Sequence, residues 1–253
     1  MSNKYCYCDD YVKVYLDDCF TKLKELAEES VDMIFADPPY FLSNGGISNS
    51  GGKVVCVDKG NWDKIGSLEE KHLFNRTWIK LAKKVLKQNG TIWITGTFHN
   101  IYSIGMALEQ EGFKILNNIT WQKTNPAPNI SCRYFTHSTE TIIWARKNNK
   151  NAKHYYNYDL MKKLNNNKQM KDVWTGSLTN KNEKKYGKHP TQKPEYILEK
   201  IILASTKEND VILDPFLGSG TTAVVAKRLK RKCIGIENKQ EYIEIVKKRL
   251  KDV

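Results

Sequence analysis

The stretch from Val211 to Glu237 restricts the possible folds more than any other part of the chain. Val211–Leu213 is a short apolar strand running into Asp214-Pro215-Phe216-Leu217-Gly218-Ser219-Gly220, a helix opens at Thr221 and continues to Leu229, and Cys233–Ile236 forms the next strand. Strand, glycine turn, helix and strand in this succession form the repeating unit of a mostly parallel sheet with helices on both faces.

The remainder of the chain keeps that rhythm. Strands are expected at Val12–Leu16, Val31–Ala36, Thr91–Thr95, Phe113–Gln122 and Glu140–Ala145. Helices are expected at Cys19–Glu28, Leu68–Leu86 (ended by Asn89-Gly90), Ile101–Gln110, Glu195–Ser205 and Tyr242–Leu250. A chain of 253 residues that is 40% apolar suits one α/β domain, 1–253, rather than a disordered segment. No apolar run is long enough for a membrane span and the N-terminus lacks the apolar stretch of a leader, so a cytoplasmic protein with no membrane partner is expected. The six cysteines (Cys6, Cys8, Cys19, Cys56, Cys132, Cys233) contain no CxxC pair, so they read as reduced thiols and no metal site is expected.

Two motifs carry chemistry. In the first, Gly218 and Gly220 permit a tight turn, and the helix beginning at Thr221-Thr222 presents free N–H donors. Glu237, 23 residues after Asp214, stands at the end of the following strand, where a carboxylate accepts hydrogen bonds from ribose hydroxyls. The pair points to an adenosine-containing cofactor. Nicotinamide-binding turns read GxGxxG and phosphate loops read GxxxxGK[ST]; here Phe216 occupies the turn and no Lys follows the glycines. A cofactor without phosphates, needing a ring to pack on and amides for a carboxylate, fits better.

The second motif is Asp37-Pro38-Pro39-Tyr40, directly after the strand Val31–Ala36. Open α/β sheets bind ligands at that edge. Consecutive prolines stiffen the backbone and remove two N–H donors, so the Asp37 carboxylate and the Pro38 carbonyl can both accept from one amino group. An aromatic NH2 is a poor nucleophile because its lone pair is delocalised into the ring. Two acceptors drawing its protons out of the ring plane localise that pair and aim it at an electrophilic methyl, with Tyr40 offering a stacking face.

Two stretches break the rhythm. Residues 42–61 hold five glycines and read as a mobile loop. Residues 146–188 carry twelve Lys/Arg against three Asp/Glu, supplying +9 of the net charge of +13, with Tyr155, Tyr156, Tyr158, Trp174 and Tyr186 interspersed. Basic residues among aromatic ones suit phosphate contact and base stacking, so this stretch reads as an inserted target-recognition region and the partner as nucleic acid.

The Asp-Pro-Pro-Tyr and Phe-x-Gly-x-Gly segments resemble the amino-methyltransferases that modify exocyclic nitrogens in DNA, in the β arrangement where the catalytic motif precedes the cofactor motif. Tyr15–Phe20, Thr120–Pro126, His137–Ala145, Asp172–Trp174 and His189–Pro194 extend the resemblance over nearly the whole chain. It is most similar to the second, GATC-methylating adenine enzymes of DpnII-type restriction-modification systems, some of which accept single-stranded DNA. The resemblance implies a permuted Rossmann-like fold with a mostly parallel seven-stranded sheet. It implies S-adenosyl-L-methionine as cofactor, DNA as partner, N6 of a flipped-out adenine as target, and a homodimer as a common assembly. It assigns Asp37, Pro38, Pro39 and Tyr40 to catalysis. Asp214, Phe216, Gly218, Ser219, Gly220, Thr221, Thr222 and Glu237 go to the cofactor, with Asp18 and Lys193 beside it. Three alternatives remain open: an N4-cytosine enzyme of the same architecture, which more often has Ser in place of Asp37; an RNA or protein-glutamine methyltransferase; and a non-catalytic DNA-binding protein.

Overall fold

The computed structural model describes residues 5–41, 47–50, 53–56 and 67–253. Its strands are β1 (Tyr7–Cys8), β2 (Val12–Leu16), β3 (Val31–Ala36), β4 (Ile47–Ser50), β5 (Lys53–Cys56), β6 (Leu86–Gly96), β7 (Phe113–Lys123), β8 (Thr139–Lys147), β9 (Val173–Gly176), β10 (Val211–Asp214) and β11 (Lys232–Glu237). The helices are α1 (Cys19–Glu25), α2 (Leu68–Val85), α3 (Ile101–Gln110), α4 (Tyr158–Leu164), α5 (Glu195–Ser205), α6 (Thr221–Arg228) and α7 (Gln240–Leu250). Nine strands form one sheet in the order β1-β2-β11-β10-β3-β6-β8-β7-β9, while β4 and β5 pair as a separate antiparallel hairpin.

The sheet is mostly parallel, as expected. Only β8, antiparallel to β6 and β7, and the short edge strand β1 run against the rest. It has nine strands rather than seven. The additions are β1 and β9, two edge strands too short for periodicity to reveal. Strand β6 begins at Leu86, not Thr91, because Asn89-Gly90 sits inside the strand; a Cβ on Gly90 would meet the Asp32 carbonyl oxygen at 2.8 Å. The glycine-rich stretch expected as a loop at 42–61 lies largely outside the described residues. Where it is described, Ile47–Ser50 and Lys53–Cys56 pair as an antiparallel hairpin rather than irregular chain.

Each sheet face buries its own apolar layer. Leu23 of α1, Trp78, Ile79 and Ala82 of α2 and Ile104 and Leu108 of α3 cover one face. Leu198 and Ile202 of α5, Val225 of α6 and Val246 of α7 cover the other. Helix α2 starts where it does because Ser67 and Glu70 form a reciprocal capping box, each side chain accepting the other's backbone N–H. Among the described residues no helix is long and apolar enough to cross a membrane.

This topology creates the site. From β10 the chain passes through α6 to β11 on one side; from β3 it passes through α2 to β6 on the other. The two halves diverge between β10 and β3, and the crevice outside their carboxyl ends is where such sheets bind ligands.

Candidate active site

The carboxyl ends of β2, β3, β10 and β11 deliver Asp17 and Asp18, Asp37, Asp214 and Glu237 to one edge of the sheet. An open crevice lies there, about 800 Å³ with its solvent-filled mouth included. Its walls include Asp18, Pro38, Phe216, Gly218 and Glu237. Gly218 (φ 53°) and Gly220 (φ 83°) occupy left-handed backbone, and a Cβ on Gly220 would come within 2.9 Å of Val246, so the turn demands both glycines. Glu237 braces the turn: its Oε2 accepts from the Gly218 N–H at 2.8 Å and its Oε1 from the Lys239 N–H at 2.9 Å. Each oxygen keeps acceptor capacity for a diol.

Asp214, Ser219, Thr221 and Thr222, expected at the cofactor, line a smaller cavity that adjoins the crevice and shares Phe216 and Gly218 with it. Asp214 is buried, accepting the Thr222 hydroxyl at 2.6 Å and the Phe216 N–H at 3.0 Å; burial pushes its carboxyl up to about 7 despite those two bonds. Ser219 and Thr221 are buried and hold the Arg249 guanidinium, which reaches the Ser219 carbonyl and the Thr221 hydroxyl, each at 3.0 Å. Asp18 does line the crevice, and it also caps α1 by accepting the Phe20 and Thr21 N–H groups. The crevice suits the expected group. Its lining carries four carboxylates, those of Asp17, Asp18, Asp37 and Glu237, against the single lysine Lys239, a field that favours a cationic sulfonium over a polyphosphate. Phe216 gives it an aromatic wall, packed edge-on against Trp78 at 5.4 Å and near Phe74 at 6.3 Å.

Beyond Tyr40 lies a second cavity, lined by Trp121, Lys123 and Glu140 from the β7–β8 hairpin, Thr97 after β6, and Gln192. Tyr40, His189 and Thr191 line both spaces and form the partition between them. Asp37 stands at this partition, and its acceptors can be counted. Oδ1 accepts the Tyr40 hydroxyl at 2.7 Å and the Thr95 hydroxyl at 2.6 Å; Oδ2 accepts Lys193 Nζ at 2.6 Å. Each carboxylate oxygen has two lone-pair positions, so one stays open, on Oδ2. The Pro39 carbonyl is taken by the buried Asn100 amide at 3.3 Å, whereas no donor among the described residues meets the Pro38 carbonyl. The free acceptor of Asp37 and the Pro38 carbonyl form the pair that the motif's chemistry calls for.

Lys193, expected beside the cofactor, borders a small cavity with Asp214, Phe216 and Gly218 and also bonds to the Asp-Pro-Pro-Tyr motif. Its three N–H groups go to Asp37 Oδ2, the Tyr40 oxygen at 2.9 Å and the Thr191 carbonyl at 3.2 Å. Burial works against its charge, but the Asp37 and Glu140 carboxylates outweigh burial and raise its pKa. Glu140 lies 3.6 Å from Lys193 and 2.7 Å from Lys123; burial pushes its carboxyl up, the two lysines outweigh that, and it is held below its ordinary value. Burial and the two carboxylates push the Tyr40 phenol well above its ordinary range, so it remains a donor. Sequence reasoning did not find Thr95, Glu140, Lys123 or Phe74. The one available signal was a charged pair, Lys123 and Glu140, at the joined ends of two apolar strands.

The basic stretch 146–188 divides. Strand β8 ends beside the start of β7, with Lys147 opposite Phe113, so residues 148–164 emerge at the sheet edge opposite Asp37. The Asn157 N–H bonds the Ala204 carbonyl at the far end of α5. Trp174 is buried, and the partly exposed Tyr156 packs on Trp144, which itself stacks on Trp93 at 4.7 Å. Only the portion after β9 returns to the site, where Lys184 lines the second cavity.

The DNA methylase family (N6_N4_Mtase) matches residues 31–248. Similar proteins include the type II methyltransferase M2.DpnII of Streptococcus pneumoniae, 77% identical over 92% of this chain and 87% of its own. Another is the type II methyltransferase M2.LlaDCHI of Lactococcus lactis subsp. cremoris, 72% identical over 99% and 93%. Among solved structures, M1.HpyAVI in complex with SAM superposes with a TM-score of 0.70 at 32% identity, covering 94% of this chain and 98% of its own. The cytosine-N4-specific PvuII DNA methyltransferase shares the fold, with a TM-score of 0.75 at 20% identity over 97% of this chain and 88% of its own. With its sheet-edge crevice, its Asp-Pro-Pro-Tyr motif and these relatives, the chain belongs to the DNA methylase family and is an S-adenosylmethionine-dependent DNA methyltransferase.

Proposed function

We propose that the enzyme methylates N6 of an adenine flipped out of DNA, within GATC, as the modification enzyme of a restriction system in the cytoplasm. The observation that carries this reading is the Asp37 carboxylate, which lines the crevice and bonds Tyr40 and Lys193 of the second cavity's wall; among the described residues it keeps one acceptor position open, and the adjacent Pro38 carbonyl has no donor. Asp37 and not Ser opens the motif, which favours adenine over N4 of cytosine. GATC rests on the likeness to DpnII-type enzymes.

Bound in the crevice, S-adenosylmethionine would supply an electrophilic methyl group; Glu237 would accept hydrogen bonds from its ribose hydroxyls, and Phe216 and Asp18 of the lining would hold its ring and its cationic part. A base within a duplex cannot reach this edge, so it must leave the stack, at a cost of about a few kcal/mol that single strands avoid. Asp37 Oδ2 and the Pro38 carbonyl then accept the two amino hydrogens, and Tyr40 packs against the base. Lys193 holds the carboxylate in place. With all three of its hydrogens engaged, it cannot take the proton released by the amine. Holding amine and methyl in line contributes roughly 7–11 kcal/mol in favourable cases. Cys19, at the crevice, has its thiol pushed up to about 12 by burial and the nearby Asp18, so it is no ring-attacking nucleophile. Lys181, Lys184, Lys185 and Lys188 are the phosphate contacts from the basic stretch.

The test is transfer of tritiated methyl groups to a random DNA library, with nucleoside analysis and mapping of the modified sites. Label in N6-methyladenine at GATC is expected. Label in N4-methylcytosine, or adenine modified without regard to sequence, would overturn the respective part.

A further inference from the structure

The loop between β7 and β8 carries the largest exposed apolar side chains near the site. Phe135 is 96% exposed and Tyr134 60% exposed. Large apolar groups held singly in water are common, but a clustered aromatic tip marks an interaction surface. Three observations say what it meets. First, its place: Lys123 bonds Ser138 across the base of the loop, Lys123 and Glu140 of that base line the second cavity, and Gly96, which pairs with Thr141, lies one residue from Thr95 on Asp37. The loop therefore stands over the target side of the partition. Second, its charge: residues 124–138 contain Arg133 and His137 and no Asp or Glu. Third, its stiffness: the Asn129 side chain accepts from the Ser131 N–H at 3.1 Å and donates to the Tyr134 carbonyl, and His137 stacks on Phe98 at 4.7 Å. The tip is preorganised, so it can enter a partner without a large ordering cost.

We infer that Phe135 inserts into the DNA duplex beside the target, filling the gap left by the flipped adenine and stacking on its orphaned neighbours. This rests on the adenine-flipping function proposed above. Base–aromatic stacking offsets much of the cost of taking one base out of the stack.

The experiment compares the parent enzyme and Phe135→Ala on two duplexes of the same sequence, one fully paired and one with an abasic site opposite the target adenine. Phe135 is almost wholly exposed, so the substitution leaves folding intact. On the paired duplex, methylation by the variant is expected to fall at least tenfold; on the abasic duplex it stays within about twofold of the parent, and Phe135→Trp restores the paired-duplex rate. A 2-aminopurine at the target brightens on binding the parent and less on binding the variant. Equal slowing on both duplexes, or slowing on neither, overturns the inference. A parent that methylates no adenine on either duplex overturns the adenine reading itself.

Discussion

The two sides of the active site are held together differently. On the cofactor side the contacts are local: Phe216 to Asp214, Thr222 to Asp214 and Gly218 to Glu237 join residues 2, 8 and 19 apart in the chain. On the target side Asp37 is held by Thr95 and Lys193, 58 and 156 residues away, and Tyr40 approaches Glu140, 100 residues away. A local motif builds its own geometry from turn residues and a helix start. The catalytic carboxylate owes its geometry to the whole fold, so its partners answer to no spacing rule.

Substitutions can break this contrast, beginning with the most severe. Asp37→Ala removes the acceptor and should lower methyl transfer at least a thousandfold while leaving S-adenosylmethionine binding by calorimetry near the parent value. Turnover at a tenth of the parent rate would sink the role given to Asp37. Glu237→Ala acts on the other side only. Hydrogen bonds to a charged group are worth about 1.5–3 kcal/mol, so the cofactor dissociation constant should rise roughly ten- to hundredfold, with kcat at saturation far less affected.

Lys193→Met tests whether the lysine serves target or cofactor. The expected outcome is a kcat loss of tenfold or more with cofactor affinity within about threefold of the parent, and partial recovery in Lys193→Arg. A selective rise in the cofactor dissociation constant would return Lys193 to the crevice. Within the basic stretch, Lys184→Ala with Lys188→Ala should raise KM for DNA and flatten its salt dependence, because two phosphate contacts are lost. Lys162→Ala with Lys163→Ala, on α4, should change neither.

The smallest effect concerns Asp214. Its folded pKa, raised by burial from 3.8 to about 7, means that folding binds a proton the unfolded chain releases. The carboxyl's contribution to stability is therefore full below pH 3.8 and is lost as pH rises to about 7. Asp214→Asn removes that loss, so its melting temperature relative to the parent should improve by a few degrees between pH 5 and pH 8, since about 1 kcal/mol shifts Tm by about 2–4 °C at this size. A difference that does not vary with pH would mean that burial does not keep this carboxyl protonated.

The basic stretch shows how sequence reasoning can read composition correctly and location wrongly. Twelve cations among aromatics do suggest DNA, yet Trp174 is buried, and residues 148–164 leave by the far edge of the sheet. Charge adds up along a sequence regardless of direction, while a strand delivers the residues after it to one edge or the other. That depended on β8 running antiparallel to its neighbours. The same reversal brings Tyr134 and Phe135 over the site, from the Pro- and Asn-containing connection 124–138, whose one arginine is too little charge to single it out in the sequence.

From the sequence alone came the strand–turn–helix segments, the two glycines of the turn, the helices α2 and α5, and the two motifs at strand ends. All of these depend on periodicity or on backbone preferences within a few residues. Tertiary structure decided which oxygen of Asp37 stays open, that Lys193 and Glu140 form one buried charge cluster with Lys123, and which half of the basic stretch sits near the site. Those outcomes depend on the order and direction of strands in the sheet, which sets side chains from distant parts of the chain against one another and leaves no mark in local spacing.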